Sequence, residues 1–128
     1  MATISLADCP DLAPILFSVA AAKHGGVFTD TRRLKIKESD RAEGMAQELR
    51  KFGATVTVSE NAVEILPTAF HAPTEPLLCH NDHRVVMSMA VLASIVGADL
   101  YGVEAVAKSY PDFFERIRAL GVRLEEIP

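Results

Sequence analysis

The sequence predicts an α+β domain made of two copies of a β-α-β-α-β(-β) unit, and three observations predict it. Strand-like and helix-like segments alternate along the chain. The same order restarts after a connector at residues 67–76. Corresponding landmarks also keep their spacing: Asp11 to Gly25 covers 14 positions and Asp82 to Gly97 covers 15, while Gly25 to Lys37 covers 12 and Gly97 to Lys108 covers 11.

The first unit is expected over residues 1–66. It opens with a short strand at Thr3–Leu6. A helix follows at Asp11–His24, with Pro14 inside its first turn and Gly25-Gly26 ending it. A strand follows at Val27–Thr31. Asp40–Phe52 is amphipathic, with Ala42, Met45, Leu49 and Phe52 on one face and Glu43, Gln47, Arg50 and Lys51 opposite. Asp40 with Glu43 three residues on fits a variant capping box, and Gly53 stops the helix. Ala54–Val58 and Val63–Leu66 read as a hairpin around Ser59–Ala62.

The second unit is expected over residues 77–128. Leu77–Cys79 has weak strand character, and Val85–Val96 is a nearly all-apolar helix ended by Gly97. Asp99–Val103 is the next strand. Asp112–Leu120 is an amphipathic helix with Phe113, Phe114, Ile117 and Leu120 on its apolar face, stopped by Gly121. Val122–Ile127 is the final strand. In each unit one helix is apolar all round, and so covered on most sides, and one is half-exposed.

At 128 residues and 49% hydrophobic, the chain is long enough to bury one sizeable core. The net charge of −4 argues against a general nucleic-acid binder, which needs a basic face. An anion site must therefore be a local cluster of cations. No apolar run reaches the about 18 residues of a membrane span, and the N-terminus has no leader-like pattern. Cys9 and Cys79 do not form a disulfide scaffold, which fits a reducing cytoplasm.

Three charged segments fall at element boundaries instead of along solvated faces. Lys37-Glu38-Ser39-Asp40-Arg41 precedes a helix, where unpaired backbone N–H groups and a partial positive charge favour an anion. A solvated turn with a cap is the plainer reading of that segment. Asn81-Asp82-His83-Arg84 abuts the apolar helix, so Arg84 needs a fixed anionic partner, either a ligand or Asp82. Lys108-Ser109-Tyr110-Pro111-Asp112 occupies the loop equivalent to that of Lys37. Cys79, His80, Asp82 and His83 match no tetrahedral metal pattern. Physics alone thus points to an anion-binding cleft lined by Lys37, Arg41, Arg84 and Lys108, with Glu38 and Asp11 as nearby carboxylates.

These residues resemble the 3-phosphoshikimate 1-carboxyvinyltransferase (EPSP synthase) family over nearly the whole chain. The resemblance runs in order through Pro10-Asp11, Lys37-Glu38-Ser39-Asp40-Arg41, Glu48-Leu49-Arg50-Lys51-Phe52-Gly53-Ala54, Asp82-His83-Arg84, Lys108-Ser109-Tyr110-Pro111 with Phe113-Phe114, and Leu120-Gly121. It implies repeated βαβαββ units of the enolpyruvyl transferase fold, about two of the units of one lobe. It also implies transfer of the enolpyruvyl group of phosphoenolpyruvate to the 5-hydroxyl of shikimate 3-phosphate, with no metal or organic cofactor. By resemblance, Asp11 is the base that deprotonates the hydroxyl and Glu38 the acid that protonates the methylene carbon. Lys37 is a shikimate 3-phosphate contact. Arg41, Arg84 and Lys108 clamp phosphoenolpyruvate.

Arg33 stands where many members carry Asn, four positions before the motif's lysine. The family's Gly-Asp-Lys-Ser and Gly-Asn-x-Gly-Thr motifs are missing, so the chain is expected to be a C-terminal fragment whose partner is the N-terminal lobe. An apolar strip bared by a missing repeat unit is expected to drive self-association. Three other readings compete. A stand-alone anion-binding module would keep the clamp without catalysis. A UDP-N-acetylglucosamine enolpyruvyl transferase relative should lack the Lys-Glu-Ser-Asp-Arg and Lys-Ser-Tyr-Pro runs. An RNA 3′-phosphate cyclase relative would need a histidine near its C-terminus, and none follows His83.

Overall fold

A computed structural model describes residues 1–37, 39–67 and 69–125, without the side chain of Lys108. The first strand, β1 (Thr3–Ser5), leads through a 3-10 turn (Pro10–Leu12) into α1 (Ala13–Ala22). Then come β2 (Gly26–Thr29), a 3-10 segment (Arg32–Ile36), α2 (Arg41–Lys51), β3 (Thr55–Val58) and β4 (Ala62–Leu66). The four strands form one sheet in the order β1-β2-β4-β3. β1 and β2 are parallel, with Thr3 opposite Val27, and α1 makes the crossover that parallel strands require. β4 runs antiparallel to both β2 and β3.

After the connector, β5 (Leu77–Leu78), α3 (His83–Val96) and β6 (Leu100–Tyr101) make a second parallel strand-helix-strand crossover. A 3-10 segment (Val103–Lys108) and α4 (Phe113–Ala119) follow. The fold is α+β, with mixed sheets and four α-helices among the described residues. No helix is long and apolar enough to cross a membrane.

Helices α1, α2 and α3 bury their apolar faces in one core that spans both halves of the chain. Phe17, Phe28, Met45, Leu49, Phe52 and Ile65 meet Leu77, Met89 and Leu92 there, each no more than 2% exposed. Phe17 and Phe28 pack edge to face with centroids 4.9 Å apart, the arrangement that ring quadrupoles favour. A smaller cluster of Cys79, Val86, Ala105 and Val106 receives Phe113 and Phe114 from α4. Asp40 caps α2 as its sequence position predicts, accepting from the Glu43 N–H at 3.0 Å.

The connector is held at Phe70, His71 and Pro76. Phe70 stacks on Phe52 at 5.4 Å, the His71 N–H donates to the Phe52 carbonyl, and Lys51 Nζ donates to the Pro76 carbonyl. Gly53, at φ +96°, lets the chain pass: a Cβ there would lie 2.2 Å from the Ala69 carbonyl oxygen.

The C-terminal part departs from expectation. The strand expected at Val122–Ile127 is absent over residues 122–125, and residues 126 and 127 lie outside those described. A two-residue β6 offers almost no ladder to pair with, because Gly102 (φ +85°) turns the chain into the 3-10 segment that shortens the strand expected at Asp99–Val103. Leu120, expected on the apolar face of α4, is 84% exposed, since no strand arrives to cover it.

Candidate functional site

Arg41 is the first residue of α2, yet only 1% of it is exposed, so its charge must be met inside the protein. Asp82 meets it from the N-cap of α3. Arg41 Nε donates to Asp82 Oδ2 at 2.9 Å and Nη2 donates to Oδ1 at 3.3 Å, a two-pronged pair suited to a planar guanidinium. Ser39 Oγ donates to Asp82 Oδ2 at 2.7 Å, and the Arg84 N–H donates to Oδ1 at 3.0 Å. Burial pushes the Asp82 carboxyl up. The hydrogen bonds from Arg41, Ser39 and the Arg84 backbone, with the Arg41 charge, outweigh it and hold the group below its ordinary value.

Asp11 sits in the 3-10 turn before α1, with its side chain 55% exposed. Three cations, two from the segment that opens α2 and one from the start of α3, approach it. Arg41 Nη1 donates to Oδ1 at 3.0 Å, Lys37 Nζ lies 3.9 Å from Oδ1, and Arg84 Nη2 lies 3.9 Å from Oδ2. The side chains of Lys37 and Arg84 are 30% and 38% exposed, so this is an open face and not a closed cavity. Arg41 is fixed from behind, whereas Lys37 and Arg84 only lean on Asp11 across loose contacts. Among the described residues, the cations Lys37, Arg41 and Arg84 and the carboxylates Asp11 and Asp82 share this face.

Four of the six expected site residues are thus described with their side chains, and Asp11, Lys37, Arg41 and Arg84 come together. Glu38 lies outside the described residues. Lys108 closes the 3-10 segment packed on α3, and its side chain is not described. The pairing of Arg84 with Asp82 is corrected: the Asp82 carboxylate is engaged by the Arg84 backbone N–H, while its guanidinium partner is Arg41. Cys79, His80 and Asp82 are each committed to packing or to a protein partner, and no metal-holding group of three or more such residues occurs among the described residues. Ser39 and Glu48 were missed. Ser39 carries no signal beyond lying two positions before Arg41. Glu48 had one, since it is a carboxylate at helical spacing from Arg41 beside the apolar Leu49.

The EPSP synthase (3-phosphoshikimate 1-carboxyvinyltransferase) family model matches residues 1–117. A 3-phosphoshikimate 1-carboxyvinyltransferase from Clostridium kluyveri is 36% identical over 126 residues, covering 96% of this chain and 29% of the relative. One from Methanospirillum hungatei is 35% identical over 119 residues, covering 91% and 27%. The solved EPSP synthase of Acinetobacter baumannii superposes with a TM-score of 0.77 at 30% identity, covering 88% of this chain and 27% of that one. The chain therefore spans less than a third of the relatives it matches. With its fold superposing on a solved member and the family model matching nearly its whole length, the chain belongs to the EPSP synthase family.

Proposed function

We propose that this chain supplies the phosphoenolpyruvate-facing part of an enzyme that moves the enolpyruvyl group to the 5-hydroxyl of shikimate 3-phosphate and releases phosphate. The observation that carries the reading is the approach of Lys37 and Arg41, from the segment that opens α2, and Arg84, from the start of α3, to the single carboxylate of Asp11. Asp11 draws these cations together as substrate anions would. Phosphoenolpyruvate carries a phosphate and a carboxylate, and both suit guanidinium forks. Arg41, held by Asp82, is the fixed wall of the clamp. Arg84 moves from Asp11 to the incoming anion, joined by Lys108, and Lys37 turns to the 3-phosphate of the co-substrate.

The chemistry needs one proton placed on carbon and one removed from oxygen, hence two carboxyl groups in opposite roles. Asp11 takes the hydroxyl proton once the anions have drawn Lys37 and Arg84 away. Glu38 delivers a proton to the methylene carbon. A proton of the resulting methyl group is given back to a carboxylate as the C–O bond to phosphate breaks, which restores the double bond. Fixed cations stabilise the phosphate as it leaves.

The remaining lobe of the enzyme is the partner that completes the cleft. The 128-residue chain alone binds phosphoenolpyruvate and does not turn it over, because positioning groups for the second substrate are missing. The test is titration calorimetry with phosphoenolpyruvate and shikimate 3-phosphate, separately and together, using Arg84→Ala as the control. Saturable phosphoenolpyruvate binding that weakens at least about tenfold in Arg84→Ala is expected, in line with loss of one charged contact. Absence of binding, or binding indifferent to Arg84, overturns the reading. A measurable turnover rate by the chain alone overturns the division of labour.

A further inference from the structure

The buried carboxylate of Glu48 has no part in the chemistry above, yet both its oxygens are engaged. Glu48 is 1% exposed and projects from α2 seven positions after Arg41. Its Oε1 accepts from Lys51 Nζ at 2.7 Å and from the Leu78 N–H at 2.9 Å, while Oε2 lies 2.7 Å from His80 Nε2. A proton must lie between two such atoms.

Residues 41, 44 and 48 fall at helical spacing along one stripe of α2, and each meets the segment from Leu78 to Asp82. Arg41 takes Asp82, Gly44 lies beneath the His80 ring, and Glu48 takes Leu78 and His80. The turn so held is an unfavourable one. His80 and Asn81 sit at φ 53° and 51°, consecutive left-handed positions that side chains disfavour, so the conformation persists only where surroundings over-determine it. Directly after that turn come Asp82, the partner of Arg41, and Arg84, which faces Asp11.

We propose that Glu48 and His80 are a pair of positioning residues that lock the turn before α3 onto α2, and so set where Arg84 and Asp82 stand relative to Arg41. The role in substrate binding rests on the function proposed above; the positioning itself does not. Neither residue touches substrate. They act through the strained turn, much as partners behind a metal ligand fix its orientation.

Three substitutions at His80, which is partly exposed, separate the bond from the packing. His80→Phe keeps a ring over Gly44 and removes the nitrogen. His80→Gln keeps a donor and removes the ring. His80→Ala removes both. Two readouts are followed in the 128-residue chain, with melting temperature recorded to confirm that the compared chains are folded. One is exchange of the Arg41 Nε–H with water by nitrogen-15 NMR, which reports its bond to Asp82 without any ligand. The other is phosphoenolpyruvate affinity by calorimetry.

His80→Ala and His80→Phe are expected to speed Arg41 Nε–H exchange and to weaken phosphoenolpyruvate binding by about tenfold each, with His80→Gln close to wild type in both. A His80→Phe chain that matches wild type overturns the proposal, because packing alone would then hold the turn. A His80→Gln chain as perturbed as His80→Ala overturns it too. Should wild type bind no phosphoenolpyruvate while the exchange pattern holds, the positioning role stands and the functional reading falls.

Discussion

Arg41 Nε donates to Asp82 Oδ2 at 2.9 Å although the residues stand 41 apart in sequence, and neither side chain is more than 1% exposed. This pair welds the start of α2 to the start of α3. Removing the Asp82 charge takes the two-pronged partner from a buried guanidinium and leaves it to the half-exposed Asp11, which costs about 1–3 kcal/mol. Asp82→Asn is therefore expected to lower unfolding stability at pH 7 by about that amount, as read from urea unfolding curves. A change near zero would mean that the pair is open in solution.

The same pair gives the protein an acid dependence with a definite sign. Asp82 is held below its ordinary value of 3.8, so the folded state binds its proton less readily than the unfolded chain does. Its contribution is fully present above the unfolded value and is lost as pH falls through the lower folded value. Urea unfolding of the wild type should therefore weaken as pH drops below about 4, more steeply than that of Asp82→Asn. Parallel profiles for the two chains would contradict this.

Gly44 lies in the middle of α2, where glycine costs about 0.5–1 kcal/mol relative to alanine. A Cβ there would meet the His80 ring at 3.5–3.6 Å, an ordinary contact. Gly44→Ala is accordingly expected to stabilise the chain by up to about 1 kcal/mol in chemical unfolding. A loss of stability would show that the imidazole needs the bare backbone.

Cys79 is buried, and that burial, with the charges of Glu48 and Glu104, pushes its thiol up to about 12. At pH 8 that thiol therefore stays protonated, and the protonated form is the unreactive one. Iodoacetamide at pH 8 should label the half-buried Cys9 and spare Cys79 until the chain unfolds. Mass spectrometry of the labelled chain checks this, and prompt modification of Cys79 would refute the burial.

Helices α1 and α3 leave Val19, Val91 and Ile95 50%, 40% and 57% exposed. Apolar side chains left exposed on helix surfaces favour association with a partner. The isolated chain is expected to self-associate at high concentration by light scattering, and Ile95→Glu to shift it toward the monomer. A wild-type chain that stays monomeric would rule this out.

Local rules made much of the fold legible beforehand. The cap at Asp40, the apolar stripe of α2 and the β3–β4 hairpin each depend on neighbours in sequence, and each forms within a residue or two of its expected bounds. The cations of the site were legible for a related reason, since charges at helix starts stand out from a solvated face. What surrounds them was not. Asp82 looked like a partner for Arg84 two positions on, but an N-cap turns its carboxylate back toward the helix backbone and leaves it open to Arg41. Glu48 and His80 are 32 positions apart, and no periodicity reports such a contact. Over residues 122–125 the expected strand does not form, because alternation supplies a suitable surface and no ladder to join.

The Pro-containing stretch between the two crossovers has the composition of a tether, but it is laid down as a brace. Phe70 lies flat on Phe52, and backbone and side-chain bonds from the end of α2 catch His71 and Pro76. The two halves are thus tied at the connector as well as through their shared core, so the segments that carry Arg41 and Arg84 cannot part without breaking both sets of contacts.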